Sequence, residues 1–508
     1  MNSAAIVTHH GYVLGERDRA LEEDVWGRGL RGAVLNRPIE YNPLVEIADW
    51  TAHRPSDWSD EAYEVAHNAL IDTLACMIAG APQSAIQRLY ALVSNWGEGG
   101  VTIIGYSKSL SPPWAALLNG ASAHVLDYDD NFDPAKAHAS AVLVPALLAV
   151  GEEQGRTIGE LLDAYIVGLQ VMGHVGQAVN PFHRNRGWHA TATMGAIGVA
   201  AGVARLLRLD PDQTAHAISM ATSRAGGFMS QFGTDTKPLH AGFAASGGVQ
   251  SALMAQAGLT AGFNTLDGDH GLRKLMVGPD VEDRAREMMG RDEHGQSTSF
   301  LPGRIADPLH ILAYGLKVKR FPNCGSVHRA LDGTLELLEA HKLQGGDVDH
   351  ILVRAPGSHL RNLQYENPQT PSEARFSLEY NLAVALHQGQ VGLADFTPEA
   401  IARPEIRASF AKVVKEPVEK LESEFPTQVL IRTTAGDTYS VKVAMPVGSR
   451  QHPLSRPQLL AKLDDCCGHA GANLPLDQLH NLLERVDRAQ KISGLTRLLK
   501  STEPDPIT

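Results

Sequence analysis

Cysteine is scarce in this sequence, aromatic residues are few, positive charge is outweighed, and no apolar run is long. Four cysteines in 508 residues cannot build a disulfide framework, and the spacing of Cys76, Cys324, Cys466 and Cys467 matches no zinc or iron–sulfur ligand pattern. The expectation is a reducing, cytoplasmic setting, with no metal and no aconitase-like iron–sulfur chemistry. A net charge of −12 leaves no continuous basic face for nucleic acid or an anionic membrane surface. Met1 to Asp18 lack a basic segment followed by an apolar one, and no stretch offers about 18 uninterrupted apolar residues. Met194 to Leu207 comes nearest; Arg205 interrupts it and it is too short, so it reads as a buried helix.

What is present describes an ordinary globular chain, 43% hydrophobic and 20% charged, long enough for two domains. From Asp60 to about Pro302 the period is helical. Ala66, Ala69, Leu70, Thr73, Leu74 and Met77 recur at helical spacing, with Gly80 and Pro82 as a stop. Further helices are expected over Trp114–Leu126, Ala141–Gln154, Gly159–Gln177, Thr193–Leu207 and Asp212–Ala221. Their contact residues are mostly Ala and Gly, notably Gly195, Gly198 and Gly202, which lets backbones approach closely.

After Pro308 the pattern changes. Leu331, Leu335 and Leu338 mark a helix after Ser326, Asp349–Ala355 is strand-like, and Gln428–Met445 alternates around the turn Ala435-Gly436-Asp437. Ser455 caps a helix with Leu459, Leu460 and Leu463, and Leu479, Leu482, Leu483 and Val486 mark another. The expected organisation is an N-terminal extension at 1–41, a helical domain at 42–307, an α+β domain at 308–446, and a return to the helical domain at 447–508. Ser501–Thr508, with two prolines, reads as a second extension.

Polar groups that interrupt core-forming sequence must find partners or do chemistry, because burying them unpaired costs several kcal/mol. Leu126-Asp127-Tyr128-Asp129-Asp130 leading to His138 is the first such stretch; its plain alternative is a solvated acidic loop capping the next helix, and a metal site of Asp129, Asp130 and His138 lacks a complete ligand spacing. His189 follows Gly187-Trp188 at the start of a helix, where an anionic substrate suits the N-terminus, although a lone histidine there also serves as a structural hydrogen bonder. Lys237 and His240 stand just ahead of a small-residue helix, Ala241–Ala257, where a surface lysine laying its stem on apolar neighbours is the alternative. Lys319-Arg320-Phe321-Pro322 precedes Asn323-Cys324-Gly325-Ser326-Val327-His328; an arginine there grips carboxylates, and Cys324 is either partly thiolate or simply packed.

Together and in this order, these motifs resemble the MmgE/PrpD family, which includes 2-methylcitrate dehydratase and cis-aconitate decarboxylase. The resemblance runs from about Val45 to Leu499. It rests on Leu126-Asp127-Tyr128-Asp129-Asp130 with His138 and Pro145, Gly187-Trp188-His189-Ala190-Thr191, Lys237-Pro238-Leu239-His240-Ala241-Gly242, and Phe321-Pro322-Asn323-Cys324-Gly325-Ser326-Val327-His328. It implies a mostly α fold, with a large all-helical domain closed by a smaller α+β lid, a homodimer, and a cofactor-free active site between the domains. It places Asp127, His138, His189, Lys237 and Lys319 in a catalytic role. Arg320, Cys324, His240 and Tyr365, the last in the looser match Tyr365-Glu366-Asn367-Pro368, are assigned to substrate binding.

Two departures bear on substrate identity. The loop from Asp127 to His138 is one residue longer than in the animal decarboxylases, with Asn131 and Asp133 where threonine and histidine are expected. Cys324 replaces a histidine of those enzymes, as in the fungal decarboxylase.

The implied substrates are small di- or tricarboxylates, and the implied chemistry moves a proton at a carbon next to a carboxylate. Fixed cations such as Lys237 and Lys319 stabilise the charge that builds up, while His138 and His189 form the acid/base pair beside Asp127. Dehydration stands first on family prevalence and decarboxylation next on the Cys324–His328 pattern. The alternatives are epimerisation or isomerisation of an iminodicarboxylate such as iminodisuccinate, and a non-catalytic carboxylate-binding helical protein.

Overall fold

The structure, a computed structural model, describes residues 41–288, 299–418, 426–485 and 487–501. The expected N-terminal extension (but for its last residue), Val486 and all of the C-terminal extension after Ser501 lie outside the described residues.

Eight helices carry the first part of the chain's site and its support: α1 (Pro43–His53), α2 (Asp60–Gly80), α3 (Pro112–His124), α4 (Ser140–Glu153), α5 (Ile158–Val179), α6 (Ala190–Leu207), α7 (Pro211–Thr222) and α8 (Thr236–Gln256). Local chemistry sets their starts. Ser59 accepts from Ala62 N–H, and Thr157 with Glu160 and Asp210 with Gln213 form reciprocal caps. A two-stranded antiparallel hairpin, β1 (Glu98–Thr102) and β2 (Ser109–Leu110), sits between α2 and α3 in the chain.

The small residues do what their size allows. A Cβ built on Gly198 of α6 would lie 2.7 Å from Met172 Cβ and 2.9 Å from Gly168 O on α5, so only a missing side chain permits that approach. Helix α8 packs against both α3 and α6. Helix α6 begins four residues before Met194 and is long and apolar enough to cross a membrane by length and composition. Yet 94% of it is buried inside the protein.

The second part contains α9 (Gly325–His341), α10 (Leu378–Gln388) and a mixed sheet of β3 (Val348–Pro356), β4 (Val413–Val418), β5 (Thr427–Thr433) and β6 (Thr438–Val443). The sheet order is β4-β3-β5-β6, with β3 and β4 parallel and the other pairs antiparallel. Helix α9 covers β5 and β6, and α10 packs on α9. Phe321, Val327, Leu331, Ile351, Tyr380 and Val429 belong to one apolar cluster here, while Leu454, Leu459, Leu463 and Leu479 rejoin the cluster built by the first helices. Of these, Leu459 and Leu463 lie on α11 (Arg456–Ala470), capped reciprocally by Ser455 and Gln458.

Two elements differ from the expectation. Strand β4 has no alternating pattern because Pro417 and two charged residues occupy its six positions, and only pairing with β3 makes it a strand. Helix α8 starts at Thr236, not Ala241. Pro238 fits its first turn because the first four N–H groups of a helix have no partner within it. Lys237 and His240 are therefore helical residues, fixed against α3 by the packing of α8.

Candidate active site

Asp127 follows the end of α3 and takes a left-handed φ of 53°, a conformation open to Asp more readily than to most side chains. Its N–H donates to His124 O at 3.1 Å, closing the turn. The carboxylate is buried. Lys237 Nζ donates to Oδ1 at 2.6 Å, while Lys319 Nζ lies 3.3 Å from Oδ2 and donates to Asp127 O at 2.5 Å. Burial would raise the carboxyl, but Lys237 and Lys319 outweigh it and hold Asp127 well below the usual carboxylate range. The surface-lysine alternative for Lys237 is excluded, since the residue is only 9% exposed.

Lys319 arrives by backbone pairing. Asn131 and Lys317 exchange two N–H···O bonds of 2.9 Å, which lays the 317–319 segment along the acidic loop. Lys317 and Asp133 pair at 2.5 Å. Asn131 and Asp133, the residues expected to differ in the longer loop, thus dock this segment.

Four imidazoles gather beside Asp127. His138 Nδ1 and His124 Nδ1 lie 3.1 and 2.9 Å from the same Asp129 Oδ2, and His138 Nε2 is 3.9 Å from Asp127 Oδ1. The His124 ring sits 4.5 Å from His138 and 6.0 Å from His189, centroid to centroid. His189 stands at the start of α6 as expected, without a side-chain capping bond, and its Nδ1 meets His240 Nδ1 at 2.9 Å, so one ring donates and the other accepts. His138 N–H donates to Thr191 Oγ1 at 3.1 Å, tying the loop to the start of α6.

Burial would raise Asp129, yet His124 and His138 hold it well below the carboxylate range. Burial lowers His124 to about 4 against the pull of Asp129. Burial, then the neighbouring His124 and Lys237, lower His189 well below the ordinary imidazole value.

The acidic loop is not a solvated cap. Asp129 and Asp130 are fully buried. Asp130 accepts from Ser140 N–H at 3.2 Å and from the Ser140 hydroxyl, which lies 2.7 Å from Tyr165 Oη. Burial raises Asp130 to about 7. That network removes Asp130 from any shared ligand set with Asp129 and His138. A different set, His124, Asp127, Asp129 and His138, has donor atoms within 4.8 Å of one another. Both Asp127 oxygens, however, already face ammonium groups, and a divalent cation there would be repelled by two fixed positive charges.

The remaining sequence candidates divide. His240 joins the cluster through His189. Tyr365 reaches toward the helical part, its Oη 3.7 Å from where a Gly233 Cβ would stand. Cys324 precedes α9, and its N–H donates to Arg375 O at 3.0 Å. Burial and then the Asp127 charge push its thiol up, which favours the packed reading over the thiolate one. Arg320 is not brought into the cluster. Its exposed guanidinium pairs with Asp332 at 3.1 Å and lies over the Phe321 ring.

Three further participants are absent from the sequence candidates. His124 breaks an Ala-rich run three residues before Asp127, so the rule that singles out Asp127 applies to it too. Arg375, whose Nε has no hydrogen-bond partner among the described residues, feels the Asp127 charge, and Phe376 beside it lies 5.5 Å from Lys237 Nζ. Lys462 lies 143 residues from Lys319, whose carbonyl it binds. No local pattern marks either Arg375 or Lys462.

A family model described as the MmgE/PrpD N-terminal domain matches residues 45–284, and one described as the MmgE/PrpD C-terminal domain matches 321–480. Lys319 and Arg320 fall between the two matches. The chain is 27% identical over 493 residues to a cis-aconitate decarboxylase of Aspergillus terreus, covering 91% of this chain and 96% of that protein. A human cis-aconitate decarboxylase is 26% identical over 479 residues, with 88% and 92% covered. A 2-methylcitrate dehydratase of Salmonella typhimurium is 23% identical over 486 residues, with 89% and 95% covered.

Proposed function

This chain belongs to the MmgE/PrpD family, and on that premise we propose that it is a lyase of small di- or tricarboxylates, working by proton transfer at a carbon next to a carboxylate. The observation that carries the reading is the Asp127 carboxylate held between Lys237 and Lys319. Two ammonium groups and one carboxylate leave a single net positive charge at a buried point, where an anionic substrate is attracted and charge developing on its carboxylate is stabilised. Arg375 adds a guanidinium nearby.

His138 and His189 handle the protons. Asp129 lies 3.1 Å from His138 Nδ1 and faces that side of the ring, leaving Nε2 for transfer. His240 orients His189 in the same manner. Together His138 and His189 supply the acid and the base, with burial holding His189 well below the ordinary imidazole value. Decarboxylation then proceeds by loss of carbon dioxide, movement of the freed electron pair into the adjoining unsaturated system and protonation at carbon. Dehydration uses the same groups to remove a carbon-bound proton and protonate the departing hydroxide.

The higher identity to decarboxylases than to a dehydratase favours decarboxylation of a cis-aconitate-like tricarboxylate as the first reading, and dehydration of a 2-methylcitrate-like one as the second. A homodimer is part of the proposal, with sedimentation as its check.

The test is incubation of the purified protein with citrate, 2-methylcitrate, cis-aconitate and iminodisuccinate in deuterated water, followed by proton NMR. Conversion of one tricarboxylate, lost in His189→Ala and Lys237→Ala while the circular dichroism is unchanged, supports the reading. Binding by equilibrium dialysis without conversion or deuterium exchange would establish the non-catalytic alternative. Selective exchange or inversion of iminodisuccinate would establish the isomerase alternative.

A further inference from the structure

Lys462 lies in the buried layer beneath the site, on α11, and is 6% exposed. An ammonium has three N–H donors; this one donates to two backbone carbonyls and forms an ion pair with a carboxylate. Asp72 Oδ1 on α2 lies at 2.6 Å, Tyr128 O at 2.9 Å and Lys319 O at 2.9 Å. The ammonium also lies 3.7 Å from the centroid of the Tyr128 ring, whose hydroxyl donates to Arg320 O at 3.1 Å. Burial would lower Lys462, but Asp72 outweighs it and keeps the ammonium charged.

The placement of these bonds is specific. Tyr128 is the residue after Asp127, and Lys319 is itself one of the two cations on the Asp127 carboxylate. Each of the two segments thus contributes one carbonyl to the same nitrogen. A buried ion pair is weak evidence for stability, because apolar residues of similar volume often serve as well. An ion pair with Asp72 also explains nothing about the two carbonyls.

We infer that Lys462 is a positioning residue, which sets the distance between Asp127 and Lys319 by clamping the backbone beside each. This rests on the functional reading above only for its effect on turnover. Displacement of a positioning contact by about 1 Å is enough to lower turnover by about a hundredfold, so loosening this clamp falls on kcat more than on KM.

The decisive variant is Lys462→Arg. It keeps the charge opposite Asp72, but a planar guanidinium cannot reach both carbonyls along an ammonium's directions while holding that ion pair. Asp72→Asn with Lys462→Met removes both charges together, leaving neither buried alone, and serves as a second variant. The expected result for Lys462→Arg is a melting temperature close to that of the wild type, a kcat lowered about tenfold or more and a KM changed by less than about threefold.

Independently of turnover, limited acetylation with acetic anhydride, quantified by mass spectrometry, reads how tightly Lys319 is held. Lys319 is 2% exposed and should label several times faster in Lys462→Arg. Unchanged kcat in a folded variant, or unchanged Lys319 labelling, overturns the inference, as does a kcat that falls only in proportion to the folded fraction. If the wild type converts no polycarboxylate, the functional reading has failed, and the labelling result still decides the clamp. Should the double variant fail to fold, Lys462→Arg alone decides the matter.

Discussion

Lys237 and Asp127, 110 residues apart in the chain, meet at 2.6 Å in a buried contact between the first turn of α8 and the turn after α3. Lys319 approaches the other carboxylate oxygen at 3.3 Å, so one negative charge holds two positive ones. Asp127→Asn removes that charge and leaves two buried ammonium groups facing each other. The expected cost is about 3–5 kcal/mol of stability, measured as the free energy of urea unfolding, together with loss of turnover. An unfolding free energy equal to that of the wild type would show that the lysines find other partners.

Stability should fall as the pH drops from about 6.5 toward 4. Burial lowers His124 and His174 to about 4, and His67, His183, His310 and His328 to about 3. An unfolded histidine titrates near 6.5, so between these values the unfolded chain binds protons that the folded chain refuses. Each such group lowers the unfolding free energy by up to ~1.4 kcal/mol per pH unit in that window, and the six outnumber Asp130, which burial raises to about 7 and which acts the opposite way there. Asp127, held low by its lysines, acts in the same direction at more acidic pH: its contribution is complete above about pH 4 and is lost below it. Urea midpoints from pH 8 to pH 4 check the histidine effect, and a flat profile would contradict the buried neutral histidines.

Cys324 should behave as a packed thiol. Burial and Asp127 both raise it, so iodoacetamide at pH 8 should modify it slowly compared with a free thiol, and Cys324→Ser should change kcat by less than about threefold, since a protonated thiol is a poor nucleophile. Rapid alkylation accompanied by inactivation would restore the thiolate reading.

Gly242 sets how closely α8 lies on α3. A Cβ at this position would stand 2.4 Å from Leu117 O, a backbone atom that cannot turn aside. Gly242→Ala should therefore cost about 1–3 kcal/mol through overpacking and lower kcat as well, because the same helix carries Lys237 and His240. Thermal unfolding with parallel kinetics tests both effects; unchanged stability would show that the helices separate without strain.

How far the site is legible in the sequence depends on the range of each signal. Asp127, His138, His189 and Lys237 announce themselves as polar interruptions of apolar, small-residue runs, which is a local property. His124 carries the same signal, less visibly because it sits inside a helical run. Arg320 has the chemistry to bind a carboxylate and stands beside Lys319, yet Asp332 is near enough to take its guanidinium. Strand β4 is hidden for a related reason: its pairing with β3 spans some sixty residues and leaves no alternation in its own sequence.

The sequence by itself determined most of the long helices and the Ser455 cap, the close approaches allowed by glycine, the β5–β6 hairpin and the family to which the chain belongs, because periodicity, capping and motif order lie within a few residues of one another. Only the tertiary structure decided which charges meet: that Asp127 serves two lysines, that Asp129 bridges two imidazoles while Asp130 turns to Ser140, and that Lys462 reaches back to Tyr128 and Lys319. Whether a charged side chain finds a partner, and at what distance, is fixed by the packing of elements far apart in the chain, and that information resides in no single segment.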